Sequence, residues 1–182
     1  ILDGYPERYA VGETFLGTTK AAFYSGDDLL HAAFNFDMLH GSFSITRFSE
    51  AIQRWEKATS GKTWPVQVLN NHDTKRTASK WTRGEKDDRL KLLAAMLLTI
   101  RGTPFLYYGE EIGMRDIHVS RSMIKDPIGK RYWPFLVGRD GCRAPMQWNQ
   151  EKNAGFSKGE PWLPVHPDFS TRNVDAQKAD PN

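Results

Sequence analysis

The sequence predicts a parallel α/β fold, and three observations carry that expectation. Short apolar runs rich in branched and aromatic residues recur at Tyr9-Ala10-Val11-Gly12, Ala32-Ala33-Phe34-Asn35-Phe36, Pro65-Val66-Gln67-Val68-Leu69 and Thr103-Pro104-Phe105-Leu106-Tyr107-Tyr108, as in buried strands. Helical spacing fills the gaps, giving the order β-α-β-α-β-α-β with a repeat of about thirty residues, the length of a βαβ unit. Acidic residues gather just past the ends of these runs, at Glu13, Asp37, Asp73 and Glu111.

Thr18 to Tyr24 supplies a short helix between the first two strands. Ile45, Phe48, Ile52 and Trp55 fall on one face of a second helix, with polar residues opposite. Leu90, Leu93, Ala94, Leu97 and Leu98 form a broader stripe, preceded by Glu85, Asp87 and Asp88, acids that suit a helix N-terminus. Gly102 ends that helix and Thr103-Pro104 opens the last strand. A (β/α)8 barrel puts its chemistry at the rim where these acids cluster. A doubly wound sheet fits the same cadence, although no Gly-rich phosphate loop follows any strand. Past Met114 the periodicity fades into a long stretch rich in Pro, Gly, Trp and Phe, read either as a functional loop or as surface drapery.

Composition narrows the function. A net charge of +3 with interspersed signs points to no nucleic-acid or anionic-membrane partner. The strongest apolar stretch, Leu90 to Ile100, is broken by Lys91 and is too short to span a bilayer. Cys142 is the one cysteine, so no intrachain disulfide forms, in keeping with a cytoplasmic setting. Aromatics at 12% fit either a well-packed core or sugar stacking.

Two carboxylates invite a chemical reading. Glu13 follows a strand and Gly12; burial against Phe15 would raise its pKa into the range of a general acid, although an ordinary rim residue fits too. Asp73 ends a strand amid Asn70, Asn71, His72 and Thr74, polar groups that are costly at a strand end unless used or mutually satisfied. The 60 positions between Glu13 and Asp73 make two βα units, so both could face one barrel mouth. Paired carboxylates suit glycoside hydrolysis. A metal site built from Glu13, His72 and Asp73 is the competing reading, without a His-x-x-x-His or Cys pair to support it.

Specific motifs sharpen this. Gln67-Val68-Leu69-Asn70-Asn71-His72-Asp73 resembles the Asn-His-Asp motif closing the seventh strand of α-amylase superfamily barrels, and Arg8-Tyr9-Ala10-Val11-Gly12-Glu13 resembles their fifth-strand motif. Thr103 to Met114 is similar to the eighth strand and its exit. Arg139-Asp140-Gly141-Cys142-Arg143-Ala144-Pro145-Met146-Gln147-Trp148 resembles a loop of the α-glucosidase and oligo-1,6-glucosidase branch, continued by Asn153-Ala154-Gly155-Phe156-Ser157 and Pro161-Trp162. Four motifs in family order cover nearly the whole chain.

The resemblance implies the C-terminal half, strands 5 to 8, of a (β/α)8 TIM barrel with a long loop after strand 8. Residues 1–182 are then a partial catalytic barrel domain, with the N-terminal half barrel and the C-terminal β domain absent. It implies a retaining, exo-acting α-glucosidase that releases terminal α-linked glucose from short oligosaccharides. Glu13 is the implied acid/base, and Asp73 the implied stabiliser of the oxocarbenium-like transition state. His72 binds hydroxyls of the same glucose, and Arg139 or Arg143 reaches the non-reducing-end sugar. An internal salt bridge of these arginines with Asp140 is the structural alternative. Ala144 stands where Thr is common in the family. The family's nucleophilic aspartate belongs to the fourth strand, which precedes Ile1, so the chain alone is expected to be inactive and, with open sheet edges, marginal as a fold. The expected partner is a small α-glucoside or oligosaccharide; no cofactor is expected, while calcium dependence, oligomeric state and the choice between α-1,4 and α-1,6 linkages stay open. A trehalose synthase-like isomerase or transglycosylase and the non-catalytic barrel of a transporter-associated subunit are the alternatives. The second conflicts with the presence of Glu13, His72 and Asp73.

Overall fold

The computed structural model describes residues 4–82 and 87–180. The chain divides into two compact units, Ile1–Leu69 with Leu92–Phe105, and Asn70–Lys91 with Leu106–Asn182.

The first unit is the predicted parallel α/β layer. Among the described residues four strands, β1 (Val11–Gly12), β2 (Ala32–Asn35), β3 (Val66–Val68) and β4 (Thr103–Phe105), lie side by side in chain order. All three pairings are parallel, with Val11 opposite Ala32, Phe34 opposite Val66 and Val66 opposite Thr103. β3 is buried at every position, as expected for a strand covered on both faces. In β4 the Thr103 N–H donates to the Pro65 carbonyl at 2.9 Å, so the N–H that Pro104 lacks would lie on the side away from β3 and its absence costs no bond to that strand. Inside the sheet, Asn35 Nδ2 donates to Gln67 Oε1 (2.9 Å), and Gln67 Nε2 donates to the Arg101 carbonyl (3.0 Å). Both amides are fully buried, so this relay meets hydrogen-bonding demands that water cannot reach.

Helices α1 (Thr18–Phe23) and α2 (Ile45–Thr59) confirm the predicted spacing. Ser44 caps α2 by accepting from Arg47 N, and Phe48, Ala51, Trp55 and Thr59 form its buried row. Trp55 packs with Ala21 and Ala33. Ile45 was expected on that face but is 86% exposed. It opens the helix, and a helical side chain leans toward the N-terminus, here beyond the last packed turn. The stripe of α4 (Asp88–Thr99) is narrower than expected: Leu93 and Leu97 are buried, while Ala94 and Leu98 are exposed. Only one i, i+4 row of this helix is covered. Asp88 occupies its first turn as expected; Glu85 lies outside the described residues.

The second unit holds the stretch expected as a long loop, and most of that stretch is irregular. The stretch past Met114 carries its own core, in which Ile117, Val119, Ile124, Ala144, Met146 and Leu163 pack with Ile112 and Met114. Its helices are α3 (Thr77–Trp81), α5 (Pro127–Tyr132) and α6 (Val174–Ala179), joined by 3-10 turns. Five or six residues complete fewer than two helical turns, so no apolar period emerges in the sequence. Ionic contacts supplement the core. Asp168 Oδ1 lies 2.6 Å from His166 Nδ1, which accepts from the Asp168 N–H at 3.2 Å; Oδ1 also accepts from Gln147 Nε2 at 3.0 Å, and Oδ2 pairs with Arg172 Nε at 3.3 Å. Arg172 also grips both oxygens of Asp87 at 2.9 Å. Burial pushes the Asp168 carboxyl up, but the bonds from His166 and Gln147 and the nearby charges outweigh it and hold the group below the usual range.

Candidate active site

The loop after β3 is shaped by its own side chains. Asn70, almost fully buried, donates to Thr77 Oγ1 (2.6 Å) and Glu110 Oε1 (3.0 Å), and Thr77 Oγ1 donates to the same Glu110 oxygen (2.7 Å). Glu110 therefore turns inward while Glu111, the acid expected at the rim, is exposed. Burial raises the Glu110 carboxyl above its usual range against the pull of these hydrogen bonds. Next, Asn71 Oδ1 accepts from Asp73 N at 2.9 Å, an Asx turn that sets the direction of Asp73. Arg76 closes the loop. It is buried, donates from Nη1 to the Tyr108 carbonyl (2.7 Å), and its guanidinium stacks 4.9 and 4.7 Å from the Tyr107 and Tyr108 ring centres. Its backbone N–H donates to Asp116 Oδ1 at 3.0 Å, and burial raises the Asp116 carboxyl.

Asp73 is thereby held in place with its carboxylate half-exposed. Arg143 Nη2 donates to Oδ1 at 2.8 Å and Arg139 Nη1 donates to the same oxygen at 3.0 Å. His72 Nε2 stands 3.6 Å from it. The His72 carbonyl in turn accepts from Arg143 Nε (2.9 Å) and from the Cys142 thiol (3.2 Å). Four of the five sequence-predicted site residues, His72, Asp73, Arg139 and Arg143, are thus assembled within the second unit.

The arginines do not pair with Asp140 as the structural alternative supposed. Asp140 is buried and accepts from the backbone N–H groups of Lys125 (2.6 Å) and Asp126 (2.9 Å). The partner of Arg139 is Asp126, whose side chain is fully enclosed. Sequence reasoning missed Asp126. The available signal was Asp126-Pro127, an N-cap followed by Pro at N1 of α5. The Arg139 guanidinium, aided by its backbone N–H and that of Ile128, holds the Asp126 carboxyl down at about 2 despite burial.

A cavity of about 430 Å³ opens beside Asp73 and Arg139, with Ser79, Asp116, His118 and Cys142 among its walls. Burial pushes the Cys142 thiol up to about 11, so it serves as a hydrogen-bond donor and is no nucleophile near neutral pH.

Glu13, the fifth predicted residue, follows β1 in the first unit and is exposed. The expected burial against Phe15 is not found: Phe15 is itself 60% exposed, and its ring packs on Phe36 at 4.8 Å. Asp37, another expected rim acid, is structural: it accepts from Thr18 Oγ1 and from Arg54 Nε (3.3 Å).

Comparison with known proteins fixes the family. The α-amylase catalytic domain matches residues 2–182. A probable α-glucosidase of Rhizobium meliloti is 35% identical over 100% of this chain and 34% of its own length. The oligo-1,6-glucosidase of Parageobacillus thermoglucosidasius is 37% identical over 77% of this chain and 28% of its own. Among solved structures, an α-glucosyl transfer enzyme superposes with a TM-score of 0.91 at 32% identity, covering 98% of this chain and 34% of that one. The chain spans about a third of the length of these relatives. Among the described residues no helix is long and apolar enough to cross a membrane. With nearly every residue inside the catalytic-domain match, the chain belongs to the α-amylase family.

Proposed function

We propose that this chain is the strand-5-to-8 half of a (β/α)8 catalytic barrel, with β1 to β4 as those strands, from a retaining exo-acting α-glucosidase. The observation that carries this reading is Asp73, held by an Asx turn and two arginines beside a cavity, at the end of a parallel strand. Glycosidic cleavage builds positive charge on the sugar ring. Asp73, with His72 beside it, supplies hydroxyl-binding acceptors and opposite charge, while Arg139 and Arg143 fix its orientation. Glu13 is the acid/base: it protonates the glycosidic oxygen and then takes a proton from the attacking water. No residue of this chain matches the family's nucleophile motif, so activity belongs to a longer chain carrying it, and the 182 residues alone hydrolyse nothing. The substrate is a short α-glucoside bound at its non-reducing end.

The test uses the full-length protein with p-nitrophenyl α-glucoside and maltose. Release of glucose from both is expected. Glu13→Gln is expected to lose more activity on maltose than on the aryl glucoside, because p-nitrophenolate leaves without protonation. Absence of glucose from either substrate would sink the reading. A second reading, transfer of glucose to another sugar in place of water, is favoured by the likeness to the α-glucosyl transfer enzyme. Oligosaccharide products longer than the substrate would establish it.

A further inference from the structure

We infer that Asp126 is a positioning residue for this active site, acting through Arg139 to hold Asp73 in its working orientation. The inference rests on the α-glucosidase reading for its catalytic consequence, and on geometry for the contact itself.

Arg139 makes a divided contact. Its Nε donates to Asp126 Oδ2 (3.0 Å) and its Nη2 to Asp126 Oδ1 (3.1 Å), a side-on bidentate fork. The remaining arm, Nη1, then points at Asp73 Oδ1 (3.0 Å). A planar guanidinium gripped along one edge has little freedom to rotate, so gripping that edge aims the other arm. Arg143 approaches Asp73 differently, with Nε on the His72 carbonyl and Nη2 on Oδ1. The two arginines therefore reach one oxygen from separate anchors.

Asp126 is itself immobilised. Its backbone N–H donates to Asp140, its Oδ1 accepts from Ile128 N (3.2 Å) as the cap of α5, and its Oδ2 accepts from Arg139 N (2.7 Å). Gly138 makes room for this: it adopts φ +76°, and a Cβ there would lie 2.9 Å from Asp126 Oδ2. The side chain is wholly enclosed, whereas those of Arg139 and Asp73 are 33% and 24% exposed. The order of burial, from Asp126 outward through Arg139 to Asp73, is that of a rigid base supporting a working tip. An isolated cap for α5 needs no guanidinium, and an isolated partner for Asp73 needs no buried carboxylate behind it.

The test is a double-mutant cycle in the full-length protein with Asp126→Asn, Arg139→Ala and both together, read as kcat/KM on p-nitrophenyl α-glucoside and as melting temperature. Asparagine keeps the cap and the shape, so the fold survives. Asp126→Asn is expected to lower kcat/KM by about 10–100-fold, mostly through kcat, as Asp73 drifts from its position. In the Arg139→Ala background the same change is expected to cost nothing further. It should also raise the melting temperature there, because Arg139→Ala strands a buried unpaired carboxylate that Asp126→Asn removes. Activity of Asp126→Asn within twofold of the parent, or losses that multiply in the double variant, would overturn the inference. Should the parent protein release no p-nitrophenolate, the α-glucosidase reading fails. The melting cycle then decides the pairing alone, and a double variant no more stable than Arg139→Ala would reject it.

Discussion

The two units of this chain are stabilised by different means. The first is ordered by apolar burial under a parallel sheet, with Trp55, Val66 and Leu97 enclosed and one amide relay, Asn35 to Gln67 to Arg101, completing the interior. The second has its own apolar cluster, but much of its order comes from charged and polar side chains fastened to one another: Asp126 to Arg139 to Asp73, Asn70 and Thr77 to Glu110, and Asp87 and Asp168 to Arg172. Apolar burial is non-directional and tolerates modest changes of shape, whereas hydrogen-bonded charges set angles and tolerate little. The contacts that fix the direction of Asp73 are of the second kind.

That contrast makes four measurable predictions, from the largest effect to the smallest. Trp55→Ala should destabilise the fold by about 3–5 kcal/mol in denaturant titrations, since it empties a closed site against Ala21 and Ala33; a loss below about 1 kcal/mol would mean the first unit does not rest on its core. Asp73→Asn in the full-length protein should lower kcat by about 10²–10³-fold, on the scale of other lost transition-state contacts. The variant should keep most of its stability. A variant that loses both in step would erase the functional distinction between the units.

The third prediction concerns acid. The folded Asp126 carboxyl titrates at about 2, below its unfolded value of about 3.9. A depressed carboxyl stabilises the fold fully above the unfolded pKa, and the stabilisation is lost as pH falls toward the folded one. Stability should therefore decline between about pH 4 and pH 2, by on the order of 2 kcal/mol from this group, with Asp168 adding in the same direction. Asp126→Asn should flatten the decline, and an unchanged slope would contradict the pairing. Smallest of all, Glu56→Gln should shift stability by less than about 1 kcal/mol, because the Arg101–Glu56 pair at 2.9 Å is substantially open to solvent.

The same contrast explains what could be read in the sequence. Strand β3 was legible because Val66-Gln67-Val68 is short, branched and followed by Asn70-Asn71, and α2 because Phe48 and Trp55 repeat at helical spacing. The α4 stripe was overread, since periodicity marks an apolar face without saying how much of it is covered: Leu98 is 60% exposed. In the second unit, His72, Asp73, Arg139 and Arg143 were legible only through motif resemblance, 66 and 70 positions separating Asp73 from its two arginines. Asp126 carried only the local cap-and-proline signal of Asp126-Pro127, which does not connect it to Arg139, and the preference for Glu110 over Glu111 as the inward acid depends on Asn70 and Thr77, which no local pattern connects to it.

The proposal of a retaining α-glucosidase is most directly tested by the anomeric form of the first glucose released. Proton NMR of the full-length protein acting on p-nitrophenyl α-glucoside should show α-glucose appearing first, with β-glucose growing only by mutarotation. Initial formation of β-glucose, or no glucose at all, would contradict it.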